Sequence, residues 1–151
     1  MEESTERQLI DELRRCGLRA TGQRLAILRA IRENRLHPSA EELMDQLKES
    51  QPTLSLSTVY KNLQTLAEAG VLQTVDTGTG KQRFEGRPEP HHHAVCTRCQ
   101  RVYDVDFAKF PVQVPQLDLD PHFKIQAVKV CFSGKCHHCN GNAKVNTGKP
   151  Y

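Results

Sequence analysis

Apolar residues recur at helical spacing as far as Gly70 and at strand spacing beyond it. Leu9, Ile10 and Leu13 predict an amphipathic helix over residues 6 to 16. Leu25, Leu28 and Ile31 predict a second over 22 to 34, with Thr21 placed as its N-cap and Gln23 and Arg24 on its polar surface. His37-Pro38 breaks the pattern. Ser39 can then cap a short acidic helix that carries Leu43 and Leu47, with Glu41 and Glu42 in its first turn and Gln51-Pro52 ending it. From Ser55 to Gly70 the positions Val59, Leu63 and Leu66 share one face, and Gly70 suits the residue that stops the helix. Val71 to Val75 and Lys81 to Glu85 are β-compatible runs flanking a glycine-containing turn over 76 to 80. Four helices followed by a hairpin describe a winged helix over residues 1 to 86.

Residues 86 to 90, Gly-Arg-Pro-Glu-Pro, have no periodicity, and the two prolines predict an extended connector, with the linker proper at 87 to 90. Residues 91 to 151 then read as a second, small α/β domain. Ala94-Val95, Val102 to Val105 and the β-branched run Phe123 to Phe132 are its expected strands, and Pro111, Pro115 and Pro121 leave little room for a long helix between them. The tail from Gly141 is polar and expected to be loosely held. The fold class is therefore α+β.

Composition limits what such domains can do. Only 37% of the 151 residues are hydrophobic and there is no Trp, so neither half buries a large core. The first residues lack the basic region and apolar core of a signal peptide, and no stretch approaches the 18 apolar residues of a membrane span, which predicts a cytoplasmic protein with no membrane partner. The net charge of +3 is small but unevenly placed: Arg14, Arg15, Arg19, Arg24, Arg29, Arg32 and Arg35 are accompanied by Glu33 as the only acid from 14 to 35. A basic face that meets nucleic acid is one reading of this cluster, and ordinary solvated surface is the other.

Two Cys-x-x-Cys pairs, Cys96 with Cys99 and Cys136 with Cys139, supply four thiolates. A full set of four sulfurs closes a tetrahedral zinc shell and leaves no open position for substrate, so such a site is structural. The 36 residues between Cys99 and Cys136 exceed a finger's separation, so a sheet must bring the two turns together. Zinc binding returns on the order of 10 kcal/mol in isolated zinc-binding peptides, enough to decide whether so small a domain folds. Cys16 and Cys131 do not share the paired spacing and read as ordinary buried thiols, while His137 and His138 read as surface groups.

A second set mixes nitrogen and oxygen donors. His91 and His93 alternate on an extended strand and face the same way, with His92 opposite. Glu85 ends the wing, Asp104 lies on the next predicted strand, and His37 precedes the third helix. An ion held by His37, Glu85, His91, His93 and Asp104 would suit Fe(II), Mn(II) or Zn(II). Taken singly, His37 also reads as a helix cap and Glu85 as solvated. On the fourth helix, Ser57, Thr58, Tyr60, Lys61, Asn62 and Gln64 offer donors, acceptors and a ring to the major groove, and Lys81 and Arg83 in the wing can hold phosphates. A solvated helix in a protein-interaction domain is the alternative.

These motifs together resemble the ferric uptake regulator family of metal-dependent repressors over residues 5 to about 140. The resemblance is carried by Arg19-Ala-Thr-Gly-Gln-Arg24, His37-Pro-Ser-Ala-Glu-Glu42, Ser57-Thr-Val-Tyr-Lys-Asn-Leu63, His91-His-His-Ala-Val-Cys-Thr-Arg-Cys99 and Cys136-His-His-Cys139. It implies a winged-helix reader of double-stranded operator DNA, with Arg19 among its DNA contacts. A homodimerisation domain with structural Zn2+ follows, together with a regulatory site for Fe2+ or Mn2+ and no organic cofactor. Within the family the chain looks most like the peroxide-sensing branch, in which ferrous iron and hydrogen peroxide oxidise a ligand histidine, matching His37 or His91 here. Asp104 carries that comparison, since iron-sensing relatives usually place a glutamate there; Glu85 departs from it, since peroxide sensors usually have Asp. The resemblance also admits a repressor that senses iron, zinc or manganese itself. A non-haem iron enzyme is a third reading, since two histidines and a carboxylate can leave coordination positions open.

Overall fold

The computed structural model describes residues 2–140 except Arg35, Thr79, Pro88, Pro90, Phe107, 109–121 and 126–127, with side chains from Glu6 onward. Pro111, Pro115, Pro121 and the tail from Gly141 lie outside the described residues. The chain divides into two compact units, Met1–Pro88 and Glu89–Tyr151.

In the first unit α1 (Glu2–Arg15), α2 (Gly22–Glu33), α3 (Ala40–Leu47) and α4 (Leu56–Glu68) precede a hairpin of β1 (Gln73–Asp76) and β2 (Gln82–Glu85). Thr21 and Ser39 cap as the sequence predicts, their side chains accepting from the backbone N–H groups of Arg24 and Glu42, and Ser55 caps α4 in the same way, accepting from Thr58 N–H. Ser39 and Glu42 form a full capping box. Gly70, at φ +74°, takes the left-handed turn that ends α4, and Val71 N–H returns to the Leu66 carbonyl at 2.9 Å. Leu13, Ile27, Leu28, Leu43, Leu63 and Leu66, all fully buried or nearly so, form the core, and Phe84 of the hairpin closes it. Strands β1 and β2 pair antiparallel, with Gln73 opposite Glu85 and Asp76 opposite Gln82. This is a winged helix.

The second unit is a three-stranded sheet in the order β4-β3-β5, with β3 (His92–Cys96) at its centre, antiparallel to β4 (Val102–Val105) and parallel to β5 (Cys131–Gly134). Of the expected long strand over Phe123 to Phe132, the described residues form only the end: 123–125 and 128–130 lie outside any strand and Cys131 opens β5. Pairing begins where His93 N–H takes the Val130 carbonyl at 3.1 Å, and the strand runs on to Gly134. A β-branched run needs a ladder partner to become a strand, and Phe123 and Ile125 are exposed instead. Cys16 and Cys131 are likewise exposed rather than buried. Among the described residues no helix is long and apolar enough to cross a membrane.

Candidate metal centres and nucleic-acid interface

The four cysteines converge. Cys96 ends β3, and the turn to β4 brings Cys99 back beneath it, held by Gln100 N–H to the Cys96 carbonyl at 2.8 Å, with Gln100 at φ +59°. The second pair follows β5, where Cys139 N–H takes the Cys136 carbonyl at 2.9 Å and Arg98 Nη1 donates to the Cys139 carbonyl at 3.2 Å. One sulfur from each cysteine lies within 4.8 Å of all the others. Cys99 Sγ and Cys136 Sγ are 3.7 Å apart. That is far beyond a disulfide bond, yet it matches the roughly 3.8 Å edge of a tetrahedron whose sulfurs each sit about 2.3 Å from zinc.

The thiols respond to one another as such a cluster must. Backbone N–H groups of Cys136 and Cys99 hold the Cys96 thiol down at about 5. Burial, with the neighbouring sulfurs of Cys99, Cys136 and Cys96, pushes Cys139 up to about 12. Four thiolates cannot ionise together without a cation among them, so the donor set fits zinc. His137 and His138 are exposed and pack ring against ring at 3.7 Å.

The nitrogen and oxygen donors are divided between the two units. In the first, His37 Nε2 lies 3.0 Å from Glu85 Oε2, and both side chains are buried. In the second, strand alternation places His91 and His93 on one side with ring centroids 4.7 Å apart. His93 stands opposite Asp104 in the β3–β4 ladder. His91 Nδ1 lies 2.8 Å from the Glu89 carbonyl, to which it donates as N–H, so Nε2 faces Asp104 Oδ1 at 3.4 Å. Donor atoms of His91, His93 and Asp104 fall within 4.8 Å of one another. His92, fully buried on the opposite side, accepts from Val130 N–H through Nδ1 at 3.4 Å. The run of three histidines thus divides into two that face the carboxylate and one that braces the sheet.

On α4, Ser57, Tyr60, Lys61 and Gln64 are exposed and Thr58 is half-buried. Asn62 is buried: its Oδ1 accepts from Arg24 Nε at 3.3 Å and its Nδ2 donates to the Thr58 carbonyl at 2.9 Å. The side-chain amide therefore braces α4 against α2. Arg24 also donates to the Arg19 carbonyl at 2.8 Å, while the Arg19 side chain is exposed. Arg29 and Arg32 pair with Glu6 and Glu12, so part of the basic cluster is neutralised by α1, and Arg35 lies outside the described residues. In the wing Lys81 is exposed, whereas Arg83 is buried and reaches Glu42 and the His37 carbonyl. Glu42 entered the sequence pattern only as an acid in the first turn of its helix, and its partner across the fold has no local signal.

Tyr60 Oη donates to Glu41 Oε1 at 2.7 Å. This bond is the chief reason the Glu41 carboxyl is held down to about 2, helped by backbone and Ser39 hydrogen bonds. A depressed folded value stabilises the folded state above the unfolded value of 4.5, and the contribution fades as the pH falls toward 2. Tyr60→Phe removes the largest cause, so carbon-detected NMR titration should show Glu41 moving back toward 4.5; a midpoint left near 2 excludes Tyr60 as the donor that matters.

Residues 15–133 match the Ferric uptake regulator family. The chain is 34% identical over 135 residues to the ferric uptake regulation protein of Bacillus subtilis, covering 86% of this chain and 91% of that protein. It is 35% identical over 119 residues to the peroxide-responsive repressor PerR of Staphylococcus aureus, covering 77% and 76%. Among solved structures, the Campylobacter jejuni peroxide stress regulator superposes with a TM-score of 0.64 at 26% identity, covering 88% of this chain and 97% of that one. The Pseudomonas aeruginosa ferric uptake regulator with manganese gives 0.68 at 25%, covering 84% and 96%.

Proposed function

Since the chain belongs to the ferric uptake regulator family, we propose that this metal-responsive repressor senses hydrogen peroxide through oxidation of a ligand histidine. It is a regulator and not an enzyme. The Cys96, Cys99, Cys136 and Cys139 site holds structural Zn2+, and His37, Glu85, His91, His93 and Asp104 together hold regulatory Fe2+ or Mn2+. The observation that carries the regulatory half is the orientation of His91: its Nδ1 is engaged by the Glu89 carbonyl, which leaves Nε2 beside Asp104 and His93 as a ready nitrogen donor. His37 and Glu85 form the matching nitrogen and oxygen pair at 3.0 Å.

Neither unit alone fills a shell of five or six donors, so on this reading an ion favours the arrangement in which both contribute. That bias sets the spacing of the two winged helices of a homodimer on operator DNA. The DNA face is Ser57, Thr58, Tyr60, Lys61 and Gln64 of α4 with Arg19 and Lys81. A ferrous ion held by these residues would catalyse opening of the peroxide O–O bond, with no net electrons drawn from the metal. On the protein side, one peroxide adds one oxygen to the ring of His37 or His91 and leaves one water. The oxidised ring is a poorer donor, and the ion is released.

The second reading, a repressor that senses iron, zinc or manganese itself, is supported by the similarity to relatives named for ferric uptake. The two are separated on DNA selected by the Mn(II)-loaded protein. With Fe(II) bound, peroxide should abolish retention and add one oxygen to the peptide bearing His37 or His91, while the Mn(II) form survives. Retention of DNA by the Fe(II) form after peroxide, with no mass gain, returns the metal-sensing reading.

A further inference from the structure

His37 is held in an unusual way. Its φ is +52°, in the left-handed region that only a few per cent of non-glycine residues adopt, and Pro38 follows it. The surroundings must impose that conformation. Strand alternation puts Arg83 and Glu85 on one side of β2 and Phe84 on the other, in the core. Each of the two polar residues then takes one end of His37: Glu85 Oε2 meets the imidazole Nε2 at 3.0 Å, and Arg83 Nη1 donates to the backbone carbonyl at 2.8 Å.

The guanidinium does not act alone. Arg83 Nη1 also donates to Glu42 Oε2 at 2.8 Å and Nη2 to Glu42 Oε1 at 3.3 Å, a two-pronged pair with Arg83 9% exposed. The same Glu42 Oε2 accepts from Ser39 N–H at 3.0 Å as part of the capping box of α3. Phe84 N–H takes the Pro38 carbonyl at 3.1 Å and completes the seam. His37 is thus fixed between the wing strand and the first turn of α3, the helix whose Glu41 bonds Tyr60 on α4.

We propose that Arg83 is a positioning residue for the regulatory metal. By clamping the His37 carbonyl and Glu42 it holds the left-handed backbone that aims His37 Nε2 at Glu85, and it ties the wing to that geometry. This rests on the reading above that His37 and Glu85 are ligands. It removes Arg83 from the DNA phosphate contacts, because the guanidinium is buried and three of its five N–H donors are spent on the His37 carbonyl and the Glu42 carboxylate.

The test uses the zinc-loaded full chain and Mn(II) as the probe, with free Mn(II) read by electron paramagnetic resonance and DNA retention read in parallel. Arg83→Gln should weaken Mn(II) binding about 10- to 100-fold, the range for groups that orient metal ligands. DNA affinity at saturating Mn(II), and its dependence on salt, should stay those of the parent. Glu42→Gln should weaken Mn(II) binding in the same direction, and the double variant should be no worse than Arg83→Gln alone, since both act through one clamp. Arg83→Lys keeps the charge and loses the fork, so it should fall between parent and Arg83→Gln; with Glu42→Gln it carries the test if Arg83→Gln does not fold.

Folded Arg83→Lys and Glu42→Gln proteins that bind Mn(II) within twofold of the parent overturn the proposal. So does a parent-like Mn(II) affinity with a salt slope shallower by about one, the signature of a lost phosphate contact. His37→Ala separates the two levels: if it leaves Mn(II) binding intact, the ligand assignment itself fails, and if it abolishes binding while the Arg83 variants do not, only the clamp fails.

Discussion

Cys96→Ser is expected to lose its zinc and to unfold residues 89–151 while the winged helix keeps its helical signal. Among the described residues of the second unit, Val95, Cys96 and Val102 are the only buried apolar ones, so the sheet has little hydrophobic support of its own. Its ends are joined instead by sulfur. Cys96 accepts from Cys136 N–H at 3.4 Å, and Cys99 and Cys136 sit at the separation of two zinc ligands. Structural zinc returns roughly 10 kcal/mol or more on binding in isolated peptides, comparable to the whole stability of a small domain. Serine at position 96 leaves three thiolates and a poor oxygen donor. Metal analysis should fall from one zinc per chain toward none, and denaturant unfolding followed by circular dichroism should show the second unit's transition missing. Cys131→Ser is the control, since that thiol is exposed and stands outside the cluster. Full zinc content with an unchanged melting curve for Cys96→Ser rules out the staple.

The helices were legible in the sequence because each is announced locally. Thr21, Ser39 and Ser55 stand before apolar residues at helical spacing, and a cap and a face are properties of neighbouring residues. The β1–β2 hairpin was legible for the same reason, its turn lying between two runs that pair directly. Strand β5 was not. Its start is set by the Val130 carbonyl meeting His93 N–H, 37 residues away in the chain, and no property of Phe123 to Phe132 records that register. The same limit hid the clamp on His37. Ser39 and Glu42 are readable as a capping box, but the second use of that carboxylate depends on Arg83, and the burial that takes Arg83 and Asn62 away from the surface is likewise tertiary. The division of His91, His92 and His93 between two faces was readable, because alternation along a strand follows from backbone geometry alone.

That division underlies the other large effect. His91→Ala should abolish Mn(II)-dependent DNA retention while leaving zinc content and folding intact. His91 is the donor whose tautomer is fixed, with Nδ1 on the Glu89 carbonyl and Nε2 3.4 Å from Asp104 Oδ1. Losing a group that only orients a ligand weakens metal binding about 10- to 100-fold, so losing the ligand itself should exceed roughly 100-fold. Such a loss reaches DNA because an ion can shift a two-state equilibrium only by its differential affinity for the two states. On the proposed function, an ion that has lost a ligand on which its differential affinity depends has no preference between the two states, however much of it is added. Isothermal titration with Mn(II) and DNA retention over a range of Mn(II) should therefore fail together in His91→Ala. The neighbouring substitution should behave oppositely. His92 is fully buried on the far face and bonded to Val130 N–H, so His92→Ala should lower the melting temperature of the second unit and leave the Mn(II) affinity of the folded fraction close to that of the parent. If His91→Ala keeps Mn(II)-dependent retention, the switch does not pass through the strand's metal-facing side, and the assignment of His91 and His93 as its ligands is wrong.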